Sequence, residues 1–267
     1  MYYSYESIDS LCVNEFIVPD ETQNLIKEIK KILMIYHIEP LKPTIINKPQ
    51  DYCGAICKLL NKLSEKNYEK LKKDIFEIID NVESEQDIHI ITKRIFDIAS
   101  NNINLSRLFS KLYHELIQKN NSFYDVFHER FIQHTKMLSE IKYISPNEDY
   151  DEYCNYVKSI DRLKCGLFFF SNLMKYKIGT IDHMCDLCLE LLNTLTNEMK
   201  HKENMEYKEE LLQSIFIIIK ETHEEMYFHS NFEIIYTTIV SFKTHENINP
   251  KLKFKCLDII DFCNHQT

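Results

Sequence analysis

The sequence is poor in the residues that punctuate a chain. In 267 residues there are three glycines (Gly54, Gly166 and Gly179), six prolines and no tryptophan. Folds built from many short strands need frequent Gly, Pro and Asn turns, so this poverty excludes most β-rich architectures and favours long helices. No run of about 18 uncharged apolar residues exists, so no transmembrane helix is expected. The longest apolar islands, such as residues 214–219, have the size of core-helix segments. Residues 1–20 lack a basic start followed by an apolar run, so no secretory signal is read there. The nine cysteines are scattered, which suits free thiols in a reducing compartment. No glycine-rich phosphate loop and no nucleophile motif occurs, which counts against an ATPase or a hydrolase.

The composition is otherwise that of a soluble globular protein, 44% hydrophobic and 27% charged. Asn, Ile and Lys are abundant, a bias of AT-rich coding and not of structure. The net charge of −9 repels phosphates at long range, so strong non-specific nucleic-acid binding is not expected from net charge.

Leu25, Ile26, Ile29, Ile32, Leu33 and Tyr36 form one stripe of a helix that starts near residues 20–22. Pro40, Pro43 and Pro49 then read as a stiff linker, dividing an N-terminal extension, 1–50, from the remainder, 51–267. From Asp51 onward the pattern is helix, short turn, helix. Ser64 is placed to cap a helix carrying Tyr68, Leu71, Ile75, Phe76 and Ile79. Ser84 and Asp87 suit the start of one carrying Ile88, Ile91, Ile95, Phe96 and Ala99. Gly179 suits the end of one helix and Thr180 the start of the next. Asn249-Pro250 is a cap followed by Pro at the first helical position, opening a helix that buries Leu252, Leu257, Ile260 and, as an option, Phe254. Ten helices result, pairing as 51–80, 85–119, 122–177, 180–221 and 226–264, a period of about 40 residues. The expected fold is all-α: a right-handed α-solenoid of five HEAT-like antiparallel helix pairs, preceded by a short N-terminal segment with one helix.

Four colinear blocks resemble the middle domain of eukaryotic translation initiation factor 4 gamma, a HEAT-repeat family. The first is Leu60-Asn61-Lys62-Leu63-Ser64 with Tyr68 and Leu71. The second is Ile95-Phe96-Asp97-Ile98-Ala99, then Asn104-Leu105-Ser106 and Phe109. The third holds Phe169, Leu173, Lys175-Tyr176-Lys177, Thr180, Leu191 and Leu192. The fourth is Lys251-Leu252-Lys253-Phe254 with Asp258-Ile259-Ile260-Asp261. The resemblance implies a scaffold without enzymatic activity or cofactor, cytoplasmic and monomeric in isolation. It would bind and stimulate a DEAD-box helicase of the initiation factor 4A type and help recruit mRNA to the ribosome. Leu60, Leu63 and Tyr68 would serve the helicase's C-terminal lobe, and Lys251, Lys253 and Phe254 the other lobe; for Lys251, Lys253 and Lys255 the alternatives are contact with RNA phosphate and a merely solvated basic edge. The structural alternative for the first three is closure of the first pair's core, since leucine stripes are usually core. The family's arginines at the last block are lysines here, which weakens bidentate pairing. Its basic run before the third block survives only as Lys158, Arg162 and Lys164, which with Lys175 and Lys177 form a weak RNA-binding set.

Larger relatives carry a cap-binding-protein motif, Tyr-x4-Leu-apolar. Tyr36 and Leu41 keep the Tyr and Leu, but Lys42 replaces the apolar residue and Pro40 interrupts a helix. The possible partner there is a protein of the initiation factor 4E type. Lacking the long arms of the large members, the chain fits a stripped-down version of a kind that a virus or parasite with an AT-rich genome could encode. Three alternatives remain: the same fold serving another DEAD-box helicase in mRNA decay, splicing or nuclear cap binding; a HEAT adaptor with no RNA role; and a metal-dependent enzyme built on His183, Cys185 and Cys188. The last lacks the second ligand pair that zinc commonly needs, so no metal is expected. No membrane association is expected either.

Overall fold

The computed structural model describes residues 18–32 and 51–265, without the Ser139 side chain. The chain divides into two compact units, Met1–Pro49 and Gln50–Thr267. In the first, the described element is α1, Asp20–Ile32. Asp20 and Glu21 occupy its first turn and Lys30 and Lys31 its last, each sign at the end of the helix dipole that favours it. Leu33, Tyr36, Leu41 and the three linker prolines lie outside the described residues.

The second unit is all-α, with no strand among its described residues. Its helices come in five consecutive pairs. The first is α2 (Tyr52–Leu60) with α3 (Tyr68–Asp80), and the second α4 (Glu85–Ser100) with α5 (Ser106–Lys119). The third is α6 (Ser122–Glu140) with α7 (Tyr150–Met174), the fourth α8 (Ile181–Glu198) with α9 (Met205–Met226), and the last α10 (Phe232–Phe242) with α11 (Pro250–His265). Each helix packs on its pair partner. Alternate helices also pack: α2 on α4 and α4 on α6 in one layer, α5 on α7, α7 on α9 and α9 on α11 in the other. Short connections between packed neighbours make them antiparallel. This is the expected α-solenoid. Connections within pairs therefore fall along one edge of the unit, and connections between pairs along the opposite edge.

The caps explain where helices start. Ser84 Oγ accepts the Asp87 N–H at 3.3 Å, and the Asp149 carboxylate accepts the Glu152 N–H at 3.0 Å. Asn249 Oδ1 accepts the Leu252 N–H at 2.6 Å, with Pro250 as the first helical residue. The end of α7 differs from expectation. The Ile178 N–H reaches the Leu173 carbonyl at 3.2 Å and the Lys177 N–H the Met174 carbonyl at 2.7 Å. That is a Schellman cap, and its left-handed position is held by Lys177 at φ +58°, two residues before Gly179 at φ +86°. A side chain in that conformation is strained by about 1 kcal/mol. Lys177→Gly should therefore raise the unfolding free energy by about 0.5 kcal/mol, the strain relieved less the entropy glycine adds to the unfolded chain. Chemical denaturation reads this; a lower midpoint in the variant would contradict it.

The core runs through all five pairs. Its densest part is aromatic: Phe96 on α4, Tyr113 on α5, and Phe169 and Phe170 on α7 are all buried. Phe76 and Leu257 are half-buried, and Phe254 is 65% exposed. The option that Phe254 joins the core is thus overturned. Among the described residues of this unit the last helix has neighbours on one side, and Leu252, Cys256, Ile259, Ile260 and Cys263 fill that side. Phe254 sits two residues from Leu252, about 200° around the helix.

Candidate interaction surface

The turn of the first pair is built by residues that point inward. Leu60, Leu63 and Tyr68 are 1%, 4% and 3% exposed. The side chains of this block therefore close the first pair's core, and the surface they shape belongs to their neighbours Asn61, Lys62, Glu65 and Lys66, all exposed. Asn67 pins the turn. Its Nδ2 donates to the Lys62 carbonyl at 2.7 Å, and its Oδ1 accepts the Ser64 N–H at 2.8 Å. A short 3-10 turn, Glu65–Asn67, comes between Ser64 and α3. The Tyr68 hydroxyl donates to Glu115 at 2.9 Å, and the Lys111 ammonium lies 4.3 Å from its ring centroid. Burial, aided by the Glu115 carboxylate, holds the Tyr68 phenol well above its usual range. Lys72 bridges to Glu115 at 2.8 Å and to Glu69 at 2.7 Å. Asn67, Lys111 and Glu115 were not singled out in the sequence. An Asn three residues after Ser64 is the local signal that could have found the first; the other two lie more than forty residues away.

At the other end of the unit, Lys251 pairs with the Glu209 carboxylate, which raises its pKa. Lys253 is exposed beside the protruding Phe254. Lys255 is engaged by Gln213 Oε1 at 3.3 Å and the Glu209 carbonyl at 3.5 Å. The turn at 61–67 and the connection 243–249 that leads into α11 are both within-pair connections. Both therefore lie on one edge.

The five residues read as an RNA set do not form one patch. Lys164 pairs with Glu210 at 2.8 Å and with Asp161 at 3.3 Å. Lys175 pairs with Glu221 at 2.7 Å, and the same buried carboxylate takes Arg107 at 3.4 Å. Lys158 and Arg162 stand one turn apart on α7, exposed and with no ion pair among the described residues. Lys177 lies just past the end of that helix, whose last residue, Met174, is about 18 Å along the axis from Arg162 at 1.5 Å per residue. Glu221, which joins α5 and α9 to the end of α7, carried no signal in the sequence.

Cys185 and Cys188 are fully buried, and burial pushes both thiols up. His183 turns to its own helix start, where its Nδ1 accepts the Thr180 N–H at 3.3 Å, and its ring lies 5.0 Å from that of Phe131. Among the described residues, no three His, Cys, Asp or Glu side chains are grouped to hold a metal ion. Among those residues, too, no helix is long and apolar enough to cross a membrane.

No family model matches the sequence, and no curated protein matches it. Among solved structures, the MIF4G domain of the Trypanosoma cruzi translation initiation factor EIF4G5 is similar, at 13% identity and a TM-score of 0.48, covering 80% of this chain and 95% of that one. A likeness at that level says nothing of function.

Proposed function

We propose that the chain is a non-enzymatic scaffold of translation initiation that docks a DEAD-box helicase of the initiation factor 4A type along the edge formed by its within-pair connections. The observation that supports this is the common edge. The first and last of the four resembling blocks come from opposite ends of the array, and their exposed residues, Lys62 and Lys66 at one end and Lys253 and Phe254 at the other, line the same side. A stack of helix pairs holds two such contacts at a fixed separation. A helicase whose lobes fit that separation is bound best in one conformation, and its population shifts toward it. The reading places the chain in the cytoplasm, where it would help bring mRNA to the ribosome. A partner of the initiation factor 4E type at Tyr36 and Leu41 belongs to the same reading.

One observation favours a second reading, an adaptor that touches no RNA itself. Lys164, Lys175 and Lys251 spend their charge on internal carboxylates.

The test is a titration of purified helicase, with and without nucleotide, against the full chain and two surface variants, Lys62→Glu and Phe254→Ala. Both residues are exposed, so both variants should keep the wild-type melting temperature. Each should weaken binding about tenfold, or ~1.4 kcal/mol. Binding equal to wild type in both variants would sink the common-edge reading.

A further inference from the structure

Arginine is scarce in this chain. Of 32 cationic Lys and Arg side chains, four are arginines: Arg94, Arg107, Arg130 and Arg162. Arginine does what lysine cannot at sites that need the planar guanidinium fork. Arg107 is accounted for by Glu221. Two of the other three line a single groove. It lies between α4, α6 and α7 and holds about 470 Å³.

Its floor is Phe96, Phe170, Met137 and the His134 ring lying against the Gly166 backbone, and its rim is Asp97, Ser100, Asn101, Arg130, Gln133 and Arg162. Arg130 is fixed in place. Its Nη2 meets the Asp97 carboxylate at 3.1 Å, and its Nη1 donates to Gln133 Oε1 at 2.9 Å. Its Nε is buried with no partner among the described residues. Arg162 stands opposite on α7, exposed, with none of its donors engaged among the described residues. Arg94 stands on α4 three residues before Asp97, its Nε on Cys57 Sγ at 3.4 Å. Asp97, the one carboxylate on the rim, is balanced by Arg130. The groove is thus left net positive in a chain of net charge −9. Its volume falls in the range of small-molecule sites, about 300–1,000 Å³, larger than a bare anion needs.

We propose that this groove is an oxyanion site that takes a phosphate group, with the Arg162 fork closing on the phosphate oxygens and the organic part of the ligand lying over the apolar floor. Arg130 acts as a fixed wall, held by Asp97 and Gln133 before any ligand arrives, so binding orders one side chain instead of two. Arg162 makes the charge-assisted bidentate contact that a lysine cannot. The proposal does not depend on the helicase reading, and neither test decides the other.

The phosphate could belong to a free nucleotide or to an RNA backbone, and the experiment separates them. The full chain is titrated calorimetrically with inorganic phosphate, with uridine monophosphate and with a ten-nucleotide RNA, at ionic strength matched with potassium chloride. The same titrations are run on Arg162→Lys, which keeps the charge and loses the fork at an exposed position that folding does not depend on. Saturable binding of at least one probe, weakened tenfold or more in Arg162→Lys, is the expected result. A monophosphate that outcompetes the RNA assigns a small ligand, and the reverse order assigns a backbone phosphate. The proposal is overturned if none of the three probes saturates at millimolar concentration, or if Arg162→Lys binds as wild type does.

Discussion

Phe169→Ala should lower the unfolding free energy by about 3–5 kcal/mol. The Phe169 side chain is fully buried on α7. Its ring meets that of Phe96 edge-on at 5.5 Å and that of Tyr113 at 5.8 Å, while Phe96 and Tyr113 meet each other at 5.6 Å. The three rings come from α7, α4 and α5 and close a triangle of edge-to-face contacts between the second and third pairs. Each such contact adds roughly 0.5–1.5 kcal/mol beyond the area it buries. The Tyr113 hydroxyl donates to the Phe123 carbonyl at 2.8 Å and ties the cluster to the start of α6. The surroundings are therefore held from several sides and cannot collapse into the hole. In a stack where each pair touches mainly its neighbours, stability is a sum of pair and interface terms. A cut at this interface should also loosen cooperativity, so the urea transition should broaden as well as move. Loss of less than about 1 kcal/mol, with an unchanged slope, would show that the triangle is not the central interface, since buried Phe→Ala changes ordinarily cost several times that.

How much of this could be read in the sequence follows from the range of each signal. Ser84 with Asp87, Thr180 and Asn249-Pro250 announce helix starts within three residues, and the structure has helices at those places. The pairing of ten helices was legible for the same reason: it needs only helix lengths and short turns. What crosses between helices was not legible. Lys72 and Glu115 are 43 positions apart, and Arg107 and Glu221 114 apart. The sequence shows lysines at 164, 175 and 251, but not that each has a carboxylate waiting on α9. Phe254 shows a related limit. Periodicity says which residues share a face, while only the end of the stack says which face has nothing beside it. The groove between α4, α6 and α7 needs three helices brought together, so Arg162 entered the sequence reading as part of a diluted basic run and not as the partner of Arg130.

The contact between His134 and Gly166 carries the second large effect, and here the expected result involves two residues and pH. Among the described residues, a Cβ built on Gly166 would lie 2.2 Å from His134 Cε1 and 2.6 Å from its Nε2, closer than atoms can sit. The imidazole lies against the α7 backbone in the space a side chain would take, with Nε2 at 3.1 Å from the Leu163 carbonyl and the ring 5.1 Å from that of Phe170. Gly166→Ala must push the ring out, and the overpacking should cost about 1–3 kcal/mol. Truncating the ring in His134→Ala removes the obstacle. The double variant should therefore be more stable than the sum of the two single losses implies, with a coupling of at least ~1 kcal/mol. The same burial pushes the His134 pKa down to about 4. With a folded value below the unfolded one, near 6.5, the unfolded chain binds the extra proton. The contribution is then fully present above about pH 6.5 and drains away as pH falls toward 4. His134→Gln has no such proton to bind. Its stability should fall less than that of the wild type between pH 7 and pH 4, and parallel curves over that window would mean that the imidazole is charged in place. The bond from Nε2–H to the Leu163 carbonyl survives protonation and favours the charged form, so it is burial that opposes the proton, and acid should loosen α6 from α7 before it melts the outer pairs.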